Sequence, residues 1–190
     1  MNNIFIIAPL IALLIVFFIY STRLKTFLNY RRAHPHEREL LKELAMQSFG
    51  SYESLHLPIY VEVMKTNLAD EANWDQILTQ SIPFVCENNN TIIGMACLFS
   101  SKNPTDIFPA HTSYIRLLAV NQNYTGKGVA KKLVAECIKE ARETGEKTVM
   151  LHTAEFMTAA QHIYENLGFI RVKELPERYG KKYWLYELAL

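Results

Sequence analysis

The stretch Tyr114 to Leu133, YIRLLAVNQNYTGKGVAKKL, constrains this chain more than any other. Ile115 to Val120 is an apolar run, rich enough in leucine and valine for a strand buried on both faces. Gly126, Lys127 and Gly128 follow. Beyond them Ala130, Leu133, Val134, Cys137, Ile138 and Ala141 share one face of a 3.6-residue period. Lys131, Lys132, Glu136, Lys139, Glu140, Arg142 and Glu143 fall on the other face. The spacing predicts a strand, a glycine-bearing loop and an amphipathic helix.

That sequence of elements has a chemical use. The first N–H groups of a helix lack intrahelical acceptors, and the helix dipole places partial positive charge on them. Glycines ahead of the first turn remove the Cβ atoms that would hold a phosphate away. The exposed amides run from Thr125 through Val129 and Ala130, and Lys127 and Lys131 add full charges beside them. A diphosphate is the natural ligand. A P-loop needs four residues between its glycines and then Lys-Ser/Thr, which Gly126, Gly128 and Val129 do not supply. A dinucleotide-binding loop needs a third glycine, and Ala130 fits that poorly.

The tokens Leu118-Ala119-Val120 and Asn123-Tyr124-Thr125-Gly126-Lys127-Gly128 resemble the acyl-coenzyme A loop of the GCN5-related N-acetyltransferase (GNAT) superfamily. There a strand ending in Leu-x-Val precedes Gln/Arg-x-x-Gly-x-Gly/Ala and a helix. Asn123 departs from the usual Gln or Arg, and Thr125 from a common Arg. A second stretch, HTAEFMTAAQHIYENLGF, resembles a later motif of the same superfamily, Ala-x-x-Leu/Ile-Tyr-x-x-x-Gly-Phe. Here Thr148 to Thr153 reads as a strand, and Thr158-x-x-Gln161 as a capping box. Ala160, Ile163, Tyr164 and Leu167 form a helix face, Gly168 a left-handed stop, and Phe169 opens a further strand. Two motifs in the right order are far more specific than a glycine pair alone.

The rest of the chain fits an α/β (α+β) fold with a mixed central sheet of about six to seven strands flanked by helices. Thr26 to Arg32 reads as the first strand; Pro35 and then Leu40, Leu41, Leu44 and Ala45 give the first helix. Ser51 to Gln80 reads as one or two irregular helices. Phe84 to Glu87 and Thr91 to Ser100 form a hairpin about Asn88-Asn89-Asn90, and Ser101 to Ala110 is a loop. Tyr183 to Ala189 closes the sheet after a turn at Gly180. The resemblance covers residues 26–190 as one N-acetyltransferase domain. A net charge of +1 gives no reason to expect nucleic acid. Cys86, Cys97 and Cys137 are widely spaced, without histidines at metal-site intervals, and read as reduced core thiols with no metal.

Residues 1–25 stand apart. Ile4 to Tyr20 is a run of seventeen residues without a charge, apolar on every side. As a helix it would span about 25 Å, against roughly 30 Å for a hydrocarbon core. Arg23, Lys25, Arg31 and Arg32 follow before the first acid, Glu37. The expectation is an N-terminal apolar helix in residues 4–20 that anchors the chain by a single pass, with the catalytic domain on the cytoplasmic side. A basic collar then favours anionic lipid. The alternative is an extra helix packed on the domain or in a homodimer.

The resemblance implies acetyl-CoA as co-substrate and direct attack by an amine on its thioester. No Gly-x-Ser-x-Gly elbow argues for a covalent intermediate. Backbone groups of Leu118, Ala119 and Val120 would pair with the pantetheine arm, and the Val120 N–H would polarise the thioester carbonyl. Tyr164 matches the superfamily tyrosine that protonates the departing thiolate. Relatives often carry a glutamate base where this chain has Tyr114, and a coenzyme-contacting asparagine where it has Met157. Glu53, Glu62, Glu87 or a water chain remain alternatives for the base, and His152 and His162 read as satisfied or exposed. The acceptor is an unidentified primary amine on a small molecule, protein or lipid. A non-catalytic acyl-CoA-binding module at the membrane is the rival expectation.

Overall fold

A computed structural model describes residues 27–190. Seven strands form one sheet in the order β1-β2-β3-β4-β5-β7-β6. They are β1 (Leu28–Arg32), β2 (Ser81–Asn88), β3 (Thr91–Phe99), β4 (Ser113–Val120), β5 (Thr148–Ala154), β6 (Ile170–Arg178) and β7 (Lys181–Ala189). All neighbours are antiparallel except β4 and β5. The helices are α1 (Arg38–Gly50), α2 (Pro58–Ala69), α3 (Glu71–Gln80), α4 (Val129–Glu143) and α5 (Thr158–Asn166). The expected strand–loop–helix and both hairpins are present, with Asn89 and Asn90 at φ +48° and +62° in the first turn.

The alternation of β3 shows why the sheet has two cores. Met95, Cys97 and Phe99 join Leu41, Leu44 and Trp74 of α1 and α3. Ala96 and Leu98 join Leu133, Val134 and Cys137 of α4. Gly94 permits the approach of α4, because a Cβ there would lie 2.8 Å from Val129 Cγ1.

Several expectations change. The strand placed at Thr26 begins at Leu28, and the irregular region 51–80 resolves into α2 and α3 after a short 3₁₀ turn at Glu53–Leu55. Asp70 separates the two helices by ending one and capping the other, its Oδ1 accepting from Ala72 N at 3.0 Å. The Thr158–Gln161 capping box does not form: Met157 is the N-cap, and the Gln161 amide instead donates to Ala154 O and Glu155 O. Glu140, assigned to the solvent face of α4, is buried and accepts from Arg32 at 2.6 Å. The N-terminal apolar helix expected in residues 4–20 lies outside the described residues. Among the described residues, no helix is long and apolar enough to cross a membrane.

Arg31 ties the first strand to the helix layer. Its guanidinium donates to both carboxylate oxygens of buried Glu37, at 2.6 and 2.9 Å, and to Glu87 on β2 at 2.8 Å. This pairing outweighs burial and holds the Glu37 carboxyl at about 2, below its ordinary 4.5. A depressed carboxyl stabilises the fold fully above its unfolded value and loses that contribution as pH falls through its folded value. We expect the wild type to lose about 3 kcal/mol more than Glu37→Gln between pH 5 and 2. Urea midpoints across that window measure it, and parallel curves for the two proteins would refute it.

Candidate active site

β4 and β5 pair only at Ser113↔Val149 and Tyr114↔Met150, at the start of both strands. Beyond Tyr114 they part. The cause lies in β4, whose register against β3 moves from Cys97↔Arg116 to Met95↔Ala119, three residues against two. Leu117 takes φ +55° at this bulge, a conformation that costs a leucine about 1–2 kcal/mol. The edge of β4 facing the gap therefore has no strand partner past Tyr114. A cavity of about 1060 Å³ occupies the gap.

One end of the cavity is built by the glycine loop. Gly126 and Gly128 sit at φ +77° and +80°, which side chains rarely adopt, and a Cβ on either would meet nothing within 4 Å. Gly128 is the N-cap of α4 and offers no side-chain cap, so the first amides of that helix open into the cavity. Thr125, Gly126, Gly128, Val129, Ala130 and Lys131 all line it, as do Leu118 and Val120. These elements suit a diphosphate at the helix N-terminus and a pantetheine arm along β4.

The side chains of two predicted residues stand outside the cavity wall. Ala119 is buried in the core beside Met95, so its side chain does not reach the cavity. Lys127 lies over the Tyr124 ring at 4.6 Å, outside the cavity wall, while the Tyr124 hydroxyl accepts from Asn88 Nδ2 at 2.6 Å.

The cavity is also lined by Tyr164 and His152. Tyr164 on α5 lines the cavity at 5% exposure, with the Phe169 and Tyr186 rings 6.0 and 6.1 Å away. Burial, with Tyr52 and Tyr186 nearby, pushes its hydroxyl above the ordinary phenol value, so it stays protonated. His152 on β5 also lines the cavity, stacks on Phe108 and leans on Tyr183. Its Nδ1 is buried without a partner, which corrects the expectation of a satisfied or exposed ring. Burial, then the charges of Arg178 and Arg116, pulls its pKa down to about 4. The ring is neutral at working pH. His162 is exposed, as expected.

The structure also accounts for the missing glutamate base. Tyr114 is stacked between Phe99 and Phe108, at 4.8 and 4.1 Å, and its hydroxyl donates to Asn103 O in the 101–110 loop. It fills the core and does not line the cavity. Glu53 pairs with Lys65 and Glu87 with Arg31, and neither these nor Glu62 lines the cavity. Met157 does. Sequence reasoning missed His152, Arg178 and the aromatic wall of Tyr52 and Phe156. The buried Cys86, Cys97 and Cys137 carry free thiols, and burial raises Cys97 to about 12. None is a ready nucleophile.

Residues 40–169 match the model of the acetyltransferase (GNAT) family. The chain belongs to this family. It is similar to N-alpha-acetyltransferase 30 of Saccharomyces cerevisiae, 41% identical over 77 residues covering 40% of this chain and 44% of that one. It is also similar to N-acetyltransferase 8F1 of Rattus norvegicus, 27% identical over 76% of this chain and 60% of that one. The chain thus spans about half the length of these curated relatives. The fold resembles PaiA N-acetyltransferase of Thermoplasma acidophilum, solved in complex with coenzyme A. That match has a TM-score of 0.68 at 18% identity, over 86% of this chain and 99% of that one.

The glycine loop gives a direct test. Gly128→Ala adds no steric clash but strains the left-handed turn that aims the first amides of α4. We expect coenzyme A affinity, measured by calorimetry on the full chain, to fall about tenfold, a loss of about 1.4 kcal/mol. An unchanged dissociation constant would remove the loop from the binding site.

Proposed function

We propose that this chain is an N-acetyltransferase that passes acetyl from acetyl-CoA directly to a primary amine. The observation that carries the reading is the cavity at the strand split, with helix amides at one end and neutral His152 and Tyr164 at the other. The diphosphate would lie against the amides from Thr125 to Lys131, and the pantetheine arm would extend along the free edge of β4 through Leu118 to Val120. The Val120 N–H would polarise the thioester carbonyl. Holding thioester and amine together contributes several kcal/mol without a covalent enzyme intermediate.

The amine nitrogen attacks the carbonyl carbon, the C–S bond breaks, the thiolate takes the proton of Tyr164, and the phenolate recovers a proton from the nitrogen of the new amide. Ordinary values of about 10 for a phenol and about 8.5 for a thiol make this transfer modestly uphill. The burial that raises Tyr164 also raises the basicity of a thiolate in the same cavity, so the gap does not widen. His152 would accept a hydrogen bond from the amine and orient it. With a pKa of about 4 it is a poor store for the ammonium proton, which leaves toward the open mouth.

Tyr164→Phe should lower kcat about 100-fold with little change in KM for acetyl-CoA. Free-thiol release over an amine panel measures this. In the wild type, kcat/KM should climb with pH until the acceptor amine is deprotonated, with no inflection near 6.5 from His152. Coenzyme binding without thiol release on any amine would favour a non-catalytic acyl-CoA-binding module.

The tether is part of the same reading. Support comes from the charge-free run Ile4–Tyr20 and from Arg23 and Lys25 beside it. Arg31 and Arg32 are engaged by Glu37, Glu87 and Glu140, so the collar offered to lipid headgroups reduces to Arg23 and Lys25. We expect the full chain to sediment with membranes after an alkaline wash, and a chain lacking residues 1–25 to be soluble with acetyl transfer intact. A full chain released by the wash would remove the tether and leave the chemistry standing.

A further inference from the structure

The acceptor end of the cavity holds more positive charge than acetyl transfer requires. Arg116 on β4 and Arg178 at the end of β6 both line the cavity, and the fields of both reach His152. Among the described residues, no carboxylate pairs with either guanidinium. Residues 1–26 contain no Asp or Glu that could supply one. The one acid on the cavity wall, Asp70, already accepts from Ala72 N as the cap of α3. Arg116 lies over the Phe99 ring at 5.6 Å, which steadies the group without neutralising it.

Two unpaired guanidiniums beside the point of attack oppose an acceptor that arrives as a bare ammonium. A polyamine or a lysine side chain would add charge of the same sign. A peptide N-terminus would offer only a neutral carbonyl next to its amine. A free carboxylate one carbon from the amine answers both problems, because it neutralises the field and matches the planar fork of an arginine.

The far wall is a packed contact between two elements. The turn between β6 and β7 leans on α2: a Cβ at Gly180 would lie 2.9 Å from the Tyr60 ring, and Asn67 Nδ2 donates to the Tyr179 hydroxyl at 3.3 Å. Tyr60, Tyr179 and Gly180 of this bridge also line a smaller pocket of about 270 Å³.

From this arrangement we propose that the acceptor is a free α-amino acid, its carboxylate held by Arg116 and Arg178 while its amine faces His152. Tyr52, Phe156 and Tyr183 then surround its side chain, which favours an apolar or aromatic one. The inference rests on the acetyl-transfer reading and names its substrate class. The reaction itself is unchanged: a C–N bond forms, the C–S bond breaks, one ammonium proton goes to solvent, and a second, released as the amide forms, replaces the one that Tyr164 gives the thiolate.

The test uses the full chain with acetyl-CoA and the twenty standard amino acids, each paired with its primary carboxamide. At neutral pH the carboxamide has the larger fraction of free amine, so reactivity alone favours it. We expect kcat/KM for at least one apolar or aromatic amino acid to exceed that of its carboxamide about 100-fold. Arg178→Gln should narrow that ratio about tenfold, an effect that loss of folded protein cannot produce. Arg178 sits on an exposed hairpin, so this variant carries the test if Arg116→Gln fails to fold. Equal rates on acid and carboxamide, or a preference for peptide N-termini or polyamines, would overturn the inference while leaving acetyl transfer intact. Absence of thiol release with every amine tested would overturn the transfer reading, and this inference with it.

Discussion

The separation of β4 from β5 after Tyr114 is the constraint on which the rest depends. A parallel pair that continued to Val120 would satisfy the backbone of both strands and leave no cavity. The bulge at Leu117 prevents that by inserting one residue against β3, so the free edge of β4 turns toward the gap. The strain of a leucine at positive φ is held by the continuous burial of β3 on one side and by the α4 packing that Gly94 admits. The half-buried run Arg116 to Leu118, in a strand otherwise near the core, is the visible trace of this opening.

The two ends of the cavity use opposite electrostatic methods. At the glycine loop the positive potential comes from oriented amides and a helix dipole, which need no particular side chain. At the other end it comes from full charges on Arg116 and Arg178. In the same cavity the titratable groups are kept neutral: the imidazole falls to about 4 and the phenol rises, mainly through burial in both cases. A thioester would thus meet an environment that changes little in charge across the pH range where amines become nucleophilic.

What the sequence revealed follows from how local each signal is. The strand–loop–helix at 114–133 and the Gly168 stop are written in consecutive residues, and both appear in the fold. The bulge is not, since it depends on register against β3 and nothing in Leu117 announces it. Tyr114 looked like a displaced catalytic position until the 101–110 loop folded Phe108 onto it. Glu140 defeated the rule that charges face water because its partner, Arg32, lies on β1, 108 residues away in sequence. His152 and Arg178 come together from different strands, and no spacing predicts that. An arginine at the end of a strand carries no signal until the cavity beside it is known.

The departures from the family pattern bear on catalysis less than they first suggest. Asn123 is exposed and outside the cavity wall, its amide donating to Asn121 Oδ1 at 3.0 Å to shape the turn before the glycines. Thr125 reaches the wall with a short neutral side chain where an arginine would bring charge, but the cradle itself is made of backbone. Losing a side-chain contact to a diphosphate weakens the grip without moving the site, because the positions of the amides are set by Gly126, Gly128 and the packing of α4. Affinity for the coenzyme and the geometry of transfer are therefore separable in this fold. In the proposed mechanism a chain can relax the first while the strand split, with Tyr164 and His152 beside it, keeps the second.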